Sequence, residues 1–510
     1  MQANVQGAAF GLTSSPVGAA LSGNTITWTP TPQQSRAANQ FAVTASYAGS
    51  TATENWTVTP TGTIRGTTAE TCLSDSGQTI IISPEMGNAV QVLVPNAVGG
   101  FDTYNSTVAQ DGTFSIPNIP AGSFWLMTVG TKVWTSNSTI NVGYRFWGDC
   151  HQEPVSTAGT SLQIPITGLN PWQSQDYLYF AVPNERSTAP PTLPATGGTT
   201  TSETIPYSNL LLFSSANGDN AYAAQLVNAS YAGISFQSLE QFSGPLPITV
   251  QNGIVNLFPV TLQSETQSSS VRANVRGSAF AALYPSMSRS AMTVNPGDNF
   301  RVDITPDNIG PSSNGLFLVL ASHAFSSDTD AGDIPFANPF PVSWTPYLDY
   351  TDSAVQNLTP PGASSPFPMA VANRVVTAQF PTASNPIAPV IGPALNPQIN
   401  GVSLFQDQTI SSSTPVLSWQ APALGTAYIY HIEVIRFSVA NGSPSVQTVD
   451  ELYTTSTSIV LPQGLLGSGN SYCFVIQSIS RKSLDGSVAP YVETFPEGSA
   501  DVVSGVISVQ

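Results

Sequence analysis

Charge is scarce in this sequence. Asp, Glu, Lys and Arg make up 8% of its 510 residues, where an ordinary soluble domain carries about 25%. Basic residues are scarcest: 13 Lys and Arg stand against 30 Asp and Glu, a formal net charge of −17. Nucleic-acid binding draws on a basic footprint to displace counterions, and none is present. Attachment to an anionic membrane is disfavoured for the same reason. Long apolar runs are also missing. Runs such as Phe124-Trp125-Leu126-Met127 and Leu316–Ala321 are of core-strand length, far short of the roughly 20 residues that cross a bilayer. Histidine is limited to His151, His323 and His431, with no zinc-type spacing, so each reads as a hydrogen-bonded structural residue and His431 as an exposed one. No basic residue precedes Arg36, so no charged leader of a signal peptide is seen, and the expectation is a mature or trimmed chain rather than a cytoplasmic one.

What fills the sequence instead is alternation. Thr25-Ile26-Thr27-Trp28, Phe41-Ala42-Val43-Thr44-Ala45 and Trp56-Thr57-Val58 each place apolar side chains at every second position, with Thr, Ser, Asn or Gln between them. A period of two puts one face of a strand in a core and the other in water. Gly, Pro and Asn punctuate the pattern at short intervals from end to end. With 8 Trp, 16 Tyr and 23 Phe the chain holds enough aromatic bulk for several cores, so disorder is a poor reading. Its length predicts roughly three to five domains. The fold class expected is all-β, built of tandem β-sandwich modules whose wet faces are hydroxyl and amide.

Four regions follow along the chain. Residues 1–61 carry Asn24–Pro32, Phe41–Tyr47 and Glu54–Pro60, which resemble the immunoglobulin-like, cadherin-like repeats of bacterial surface proteins; the resemblance implies a spacer rather than a catalyst. Residues 62–151 contain an Asp111-Gly112 turn, a strand with Phe114 and Ile116 facing inward, a Pro120-Ala121-Gly122 corner and a second strand with Phe124 and Leu126 inward. That run is similar to the carboxypeptidase regulatory-like domain, a small sandwich that contributes no chemistry of its own. Residues 152–390 resemble no family beyond general likeness to surface-protein modules, and one or two sandwiches are expected. Strands are predicted at Ser161–Ile166, Tyr177–Val182, Leu210–Phe213, Ile248–Leu262, Phe300–Thr305, Leu316–Ala321 and Val375–Phe380. A short helix is predicted at Ala221–Val227, a helical turn near Phe280–Tyr284, a loop over Asn184–Pro206, and a Pro-rich linker at Pro381–Pro397. Residues 396–510 resemble a fibronectin type III domain through Val416–Pro422, Tyr430–Val434 and Gly469–Ile476. The resemblance implies that the Tyr472 hydroxyl bonds back to nearby backbone; Tyr472, Phe474 and Ile476 would point inward and Cys473 outward.

Little in the sequence points to chemistry. There are three cysteines. Cys72 and Cys150 bracket one candidate module, and a bond between them would contribute roughly 4–5 kcal/mol in the chain-entropy model; two unpaired buried thiols are the equal alternative. Asp328, Asp330 and Asp333 alternate around Gly332, an oxygen-rich pattern that suits calcium, although it matches no EF-hand loop and a plain acidic loop is the commoner outcome. Gly467-Ser468-Gly469 reads as a turn, not a nucleophile elbow. Leu193-Pro194-Ala195-Thr196-Gly197 spells a sortase-type motif, but more than half the chain follows it, so chance is the better account. Trp125, Trp134, Trp147, Trp172 and Trp344 are candidates for a sugar-stacking platform by residue type alone, and core is the commoner place for each.

The expectation is a non-enzymatic, extracellular or cell-surface structural or adhesion protein of a bacterium. Its partners would be a protein, a polysaccharide or copies of itself, the last through exposed sheet edges. No cofactor is expected apart from the calcium that the acidic cluster admits. The alternative is a carbohydrate-binding or accessory component of a secreted glycoside-active system.

Overall fold

The computed structural model describes residues 7–31, 34, 37–74, 79–83, 86–129, 132–148, 150, 154–183, 187–189, 192–206, 211–289, 293–294, 299–306, 316–323, 325–481, 486, 488–492 and 496–510. The protein is an all-β fold of tandem β-sandwich modules. Two compact units form, and the chain passes between them more than once: one holds Met1–Thr68 and Glu85–Val142, the other Ala69–Pro84 and Gly143–Gln510.

In chain order the first unit opens with β1 (Ala9–Ser14), the hairpin β2 (Ala20–Ser22) and β3 (Thr25–Thr27), then β4 (Asn39–Tyr47), β5 (Ser50–Val58) and β6 (Gly62–Thr67). Strands β7 (Glu70–Leu73) and β8 (Thr79–Ile82) belong to the second unit. The chain returns to the first as β9 (Ala89–Pro95), β10 (Phe101–Thr107), β11 (Thr113–Ile119), β12 (Phe124–Met127), β13 (Lys132–Thr135) and β14 (Thr139–Asn141), and leaves it finally with β15 (Arg145–Trp147). Strands β1, β4 and β5 make one antiparallel sheet. Alternation in β4 buries Phe41 and Val43, and the Phe41 ring sits edge-on to Trp28 at 5.3 Å and stacked on Trp56 at 5.6 Å.

Two further sheets follow in this unit. One has the order β11-β6-β14, with β14 parallel to β6; in the other, β9 pairs with β10 and β12, and β12 with β13. The predicted inward residues Phe114, Ile116, Phe124 and Leu126 are all buried, beside Ile64, Ile140, Val90 and Val92. The Asp111 carboxylate closes the turn ahead of β11 by accepting from the Thr113 N–H at 3.0 Å and its hydroxyl at 2.7 Å. Gly66 holds the centre of β6 close to its neighbours: a Cβ there would lie 2.1 Å from the Ile140 carbonyl oxygen and 2.5 Å from the Phe114 ring.

The second unit is dominated by a long antiparallel ladder. Tyr177–Val182 pairs with Asn220–Tyr231, which pairs with Ile234–Pro247, then Phe317–Ser322, Asn299–Pro306, Trp344–Leu358 and Phe367–Thr377. From there it continues through Glu497–Val503, Ser471–Arg481, Ile429–Ala440 and Ser443–Thr454. Strands from either side of residue 390 therefore share one set of backbone hydrogen bonds. Smaller sheets accompany the ladder, among them Leu395–Ile399 with Val402–Ser403, Val416–Gln420 and Ser458–Val460. Phe236, Phe300, Phe325, Phe336 and Tyr350 lie together in its largest core cluster.

Several local expectations are corrected. Ala221–Val227 is strand, not helix: it lies inside Asn220–Tyr231, and Ala221 to Leu226 are all buried. Cover on both faces removes alternation, and strand pairing outweighs the modest helix preference of alanine. The helical turn near residue 280 is present as two short helices, Gly277–Ala281 and Tyr284–Met287. Asn184–Pro206 is not wholly loop, since Ser187–Ala189 and Thr200–Pro206 are strands. Ile248–Leu262 holds only the short strands Val255–Leu257 and Val260–Thr261, and within 210–213 Leu211 makes a single bridge to Val155. Pro381–Pro397 is packed rather than a free linker: Ile387 bridges Val275, and Ile391 is fully buried. Cys473 points into a core with Met369, Val371, Ile435 and Val503, because its strand is paired on both edges and covered on both faces; burial holds its thiol up to about 12.

Replacing Gly66 by Ala should destabilise the first unit by about 2–4 kcal/mol, because backbone and a packed ring must both move. Urea unfolding followed by the fluorescence of the tryptophans would show the lowered midpoint.

Candidate binding cleft and buried charges

Strand β6 alternates Thr63, Arg65 and Thr67 with Ile64 and Gly66. Ile64 is fully buried, so the other set faces away from the core. Arg65 therefore stands at the middle of a three-stranded sheet, opposite Ser115 of β11 and Thr139 of β14. Its backbone N–H donates to the Ser138 carbonyl at 2.8 Å, which ties the Ser136–Thr139 loop to the strand. Thr135 fixes the start of that loop, its hydroxyl accepting from the Asn137 N–H at 3.0 Å. Asn118 takes a left-handed backbone (φ +63°) near the end of β11, a conformation asparagine tolerates.

These pieces surround an open cleft of about 670 Å³ whose lining includes Thr63, Arg65, Asn118, Asn137, Ser138 and Thr139. Among the described residues Arg65 is the one ionisable residue of the lining, and it makes no ion pair with any of them. The described lining offers hydroxyls, amides and one guanidinium, and no aromatic ring. A smaller cleft of about 250 Å³ lies among Asn396, Gln398, Ser403 and Gln420, where the Asn396 amide already donates to Gln420 at 2.8 Å.

The residues singled out by sequence fall elsewhere. Cys72 and Cys150 are disulfide-bonded, both buried, with β7 and β15 side by side and parallel. Asp328, Asp330 and Asp333 lie on a strand, Asp328–Phe336, rather than on a loop. The Arg272 guanidinium reaches Asp330 at 2.8 Å and Asp333 at 3.4 Å, and Asp328 accepts from the Ser278 hydroxyl at 2.6 Å. The Arg272 hydrogen bond holds the Asp330 carboxyl below its usual range. Among the described residues no group of three or more His, Cys, Asp or Glu side chains is placed to hold a metal. Trp125, Trp134, Trp147, Trp172 and Trp344 are all buried, so none forms an exposed platform. His431 is not exposed; it stacks on Tyr453 at 4.4 Å and lies 3.4 Å from the Glu451 carboxylate. His151 lies outside the described residues. Leu193–Gly197 belongs to a turn whose Gly197 N–H donates to the Trp172 carbonyl at 2.8 Å. The turn at Gly467 donates its N–H to the Tyr472 hydroxyl at 2.8 Å, so Gly467-Ser468-Gly469 belongs to the turn that leads into Ser471–Arg481.

Sequence reasoning missed a buried charge cluster in the second unit. Asp349, almost wholly buried on Trp344–Leu358, accepts from Arg374 Nε at 2.8 Å and Nη2 at 2.6 Å, and from Arg301 Nη2. Burial pushes the Asp349 carboxyl up, but the hydrogen bond and charge of Arg374, then of Arg301, outweigh it and hold the group below its usual range. Asp303, 3.6 Å from Arg301, is raised by burial, which the Arg301 charge offsets only in part. Farther along the ladder Arg481 pairs with Glu497 at 2.6 Å, and Asp501 accepts from the Ala372 N–H and the Gln477 amide, each at 2.9 Å. Neither cleft is lined by any of these carboxylates. The available signal was cross-strand: Arg301 and Arg374 both stand opposite residues around 349 on the central strand.

Asp349→Ala should cost about 3 kcal/mol, toward the lower end of what breaking a buried pair costs, since both arginine heads keep about a third of their exposure. Urea titration of the whole chain would measure the loss. Asp501 supplies a pH dependence: burial raises its carboxyl to about 6 despite the Ala372 and Gln477 hydrogen bonds, while the unfolded chain ionises near 4. Between those values the folded protein holds more protons, so this contribution is greatest below about pH 4 and is lost as pH rises through 6, by at most about 3 kcal/mol. Asp501→Asn should flatten stability against pH across that window in denaturant melts.

Among the described residues no helix is long and apolar enough to cross a membrane. No family model matches the sequence, and no curated protein matches it.

Proposed function

We propose that this is a non-catalytic extracellular or cell-surface protein of structural or adhesive role, whose sandwich modules present a polar cleft to a polysaccharide. The observation that carries the reading is the lining of the cleft in the first unit: among the described residues, hydroxyls and amides with a single arginine, and no carboxylate or imidazole to act as acid or base. General acid–base hydrolysis of a glycosidic bond calls for a carboxyl pair across the scissile bond, and Asp349, Asp501 and Glu497 of the second unit accept hydrogen bonds from arginine, amide or backbone groups instead. The Cys72–Cys150 bond supports an oxidising compartment outside the cytoplasm. A surface solubilised by Thr, Ser, Asn and Gln suits the same setting. Resemblance of the regions to immunoglobulin-like, regulatory-like and fibronectin type III modules agrees with it.

The test is co-sedimentation of the full chain with a panel of insoluble bacterial and plant polysaccharides, alongside an assay for newly released reducing ends. Retention on at least one polysaccharide without release is expected. Release of soluble fragments, or retention on none, would overturn the proposal.

A further inference from the structure

We infer that the first-unit cleft recognises an anionic saccharide, with the acidic group on the Arg65 guanidinium and the sugar hydroxyls on Thr63, Asn118, Asn137 and Thr139. The inference rests on the cleft being a binding site and names its ligand class. Three observations converge on it. Arg65 is presented from the central strand of its sheet, with hydroxyl residues opposite it on both neighbours, so the cation lies amid hydrogen-bonding groups rather than at an edge. The described acids of the same unit do not line the cleft: Asp111 holds its own turn and Asp102 accepts from Asn96 at 3.0 Å.

The third observation is what the cleft lacks. A neutral pyranose gains much of its affinity from an aromatic face, and among the described residues no aromatic side chain lines this site. Neutral hydrogen bonds to sugar hydroxyls largely exchange for those to water and are individually modest. An oxyanion on the planar guanidinium fork makes charge-assisted, bidentate bonds that are about twice as strong. The volume falls in the usual range for a small ligand, about 300–1,000 Å³, and suits a short saccharide stretch. The charge of the chain sharpens this: in the first unit Arg36, Arg65 and Lys132 nearly balance Glu54, Glu85, Asp102 and Asp111, so almost all of the net −17 resides in the second unit. A polyanion is therefore met with least repulsion where Arg65 sits.

A carboxylate and a sulfate ester offer the same chemistry to Arg65, and calorimetric titration of the full chain separates them. The probes are an oligogalacturonate, a sulfated oligosaccharide and a neutral malto-oligosaccharide of equal length. At least one anionic probe is expected to bind about tenfold or more tightly than the neutral one, and which of the two does so identifies the acidic group. Arg65→Ala should lose that advantage and Arg65→Lys should keep part of it, with urea midpoints unchanged because the side chain is exposed. Equal binding of neutral and anionic probes, or full anionic binding by Arg65→Ala, would overturn the anionic assignment. Asn137→Ala then decides the wider reading: if it weakens every probe the cleft remains a saccharide site, and if it weakens none the binding lies elsewhere. Failure of all three probes to bind overturns the inference, while polysaccharide retention judges the proposed function separately.

Discussion

Backbone pairing across the long ladder of the second unit decides where every polar side chain within it can go. A strand bonded on both edges and packed on both faces leaves no water for a charge. Asp349 meets that constraint by taking two arginines from the strands on either side of its own. Asp501 meets it with an amide and a backbone N–H, and Glu497 with Arg481. Three of the arginines in the chain, Arg301, Arg374 and Arg481, are thereby committed to holding the ladder together. What is left for contact with other molecules is correspondingly neutral: hydroxyls, amides and a very few exposed cations.

Alternation made the outline legible. The apolar beats of Phe41 and Val43, and of Phe114 and Ile116, became the buried faces of β4 and β11 because those strands have one dry side and one wet side. The hydroxyl of Tyr472 receives a backbone N–H from the turn before its strand, the bond that the resemblance to a fibronectin type III domain implied. Where both faces are dry the same logic fails. Ala221–Leu226 and Tyr472–Ile476 are continuous buried runs, so inward and outward lose meaning, and both the helix expected at 221 and the outward Cys473 followed from that loss. The acidic run at 328–333 failed differently. Its role depends on Arg272, more than fifty residues away in sequence and directly across the sheet, which no local pattern reveals.

The cleft was the least legible part. Arg65 reads in sequence as one outward residue on an ordinary strand, and nothing about Ser136–Thr139 marks it as a neighbour. Only the parallel pairing of β14 with β6 brings the two segments together, and parallel partners are by nature distant in the chain. Gly66 belongs to the same arrangement: the close approach of Ile140 and Phe114 that excludes any side chain there also fixes the height of Thr139 beside Arg65.

The bond between Cys72 and Cys150 has a consequence for survival outside a cell. The stretch it encloses includes exposed turns such as Asn96–Gly100, with Val98 91% accessible, the kind of tip that proteases cut first. A nick anywhere within that stretch leaves the two halves joined through sulfur. Enzymatic damage there is thus converted from loss of a segment into a scar, for as long as the surroundings stay oxidising.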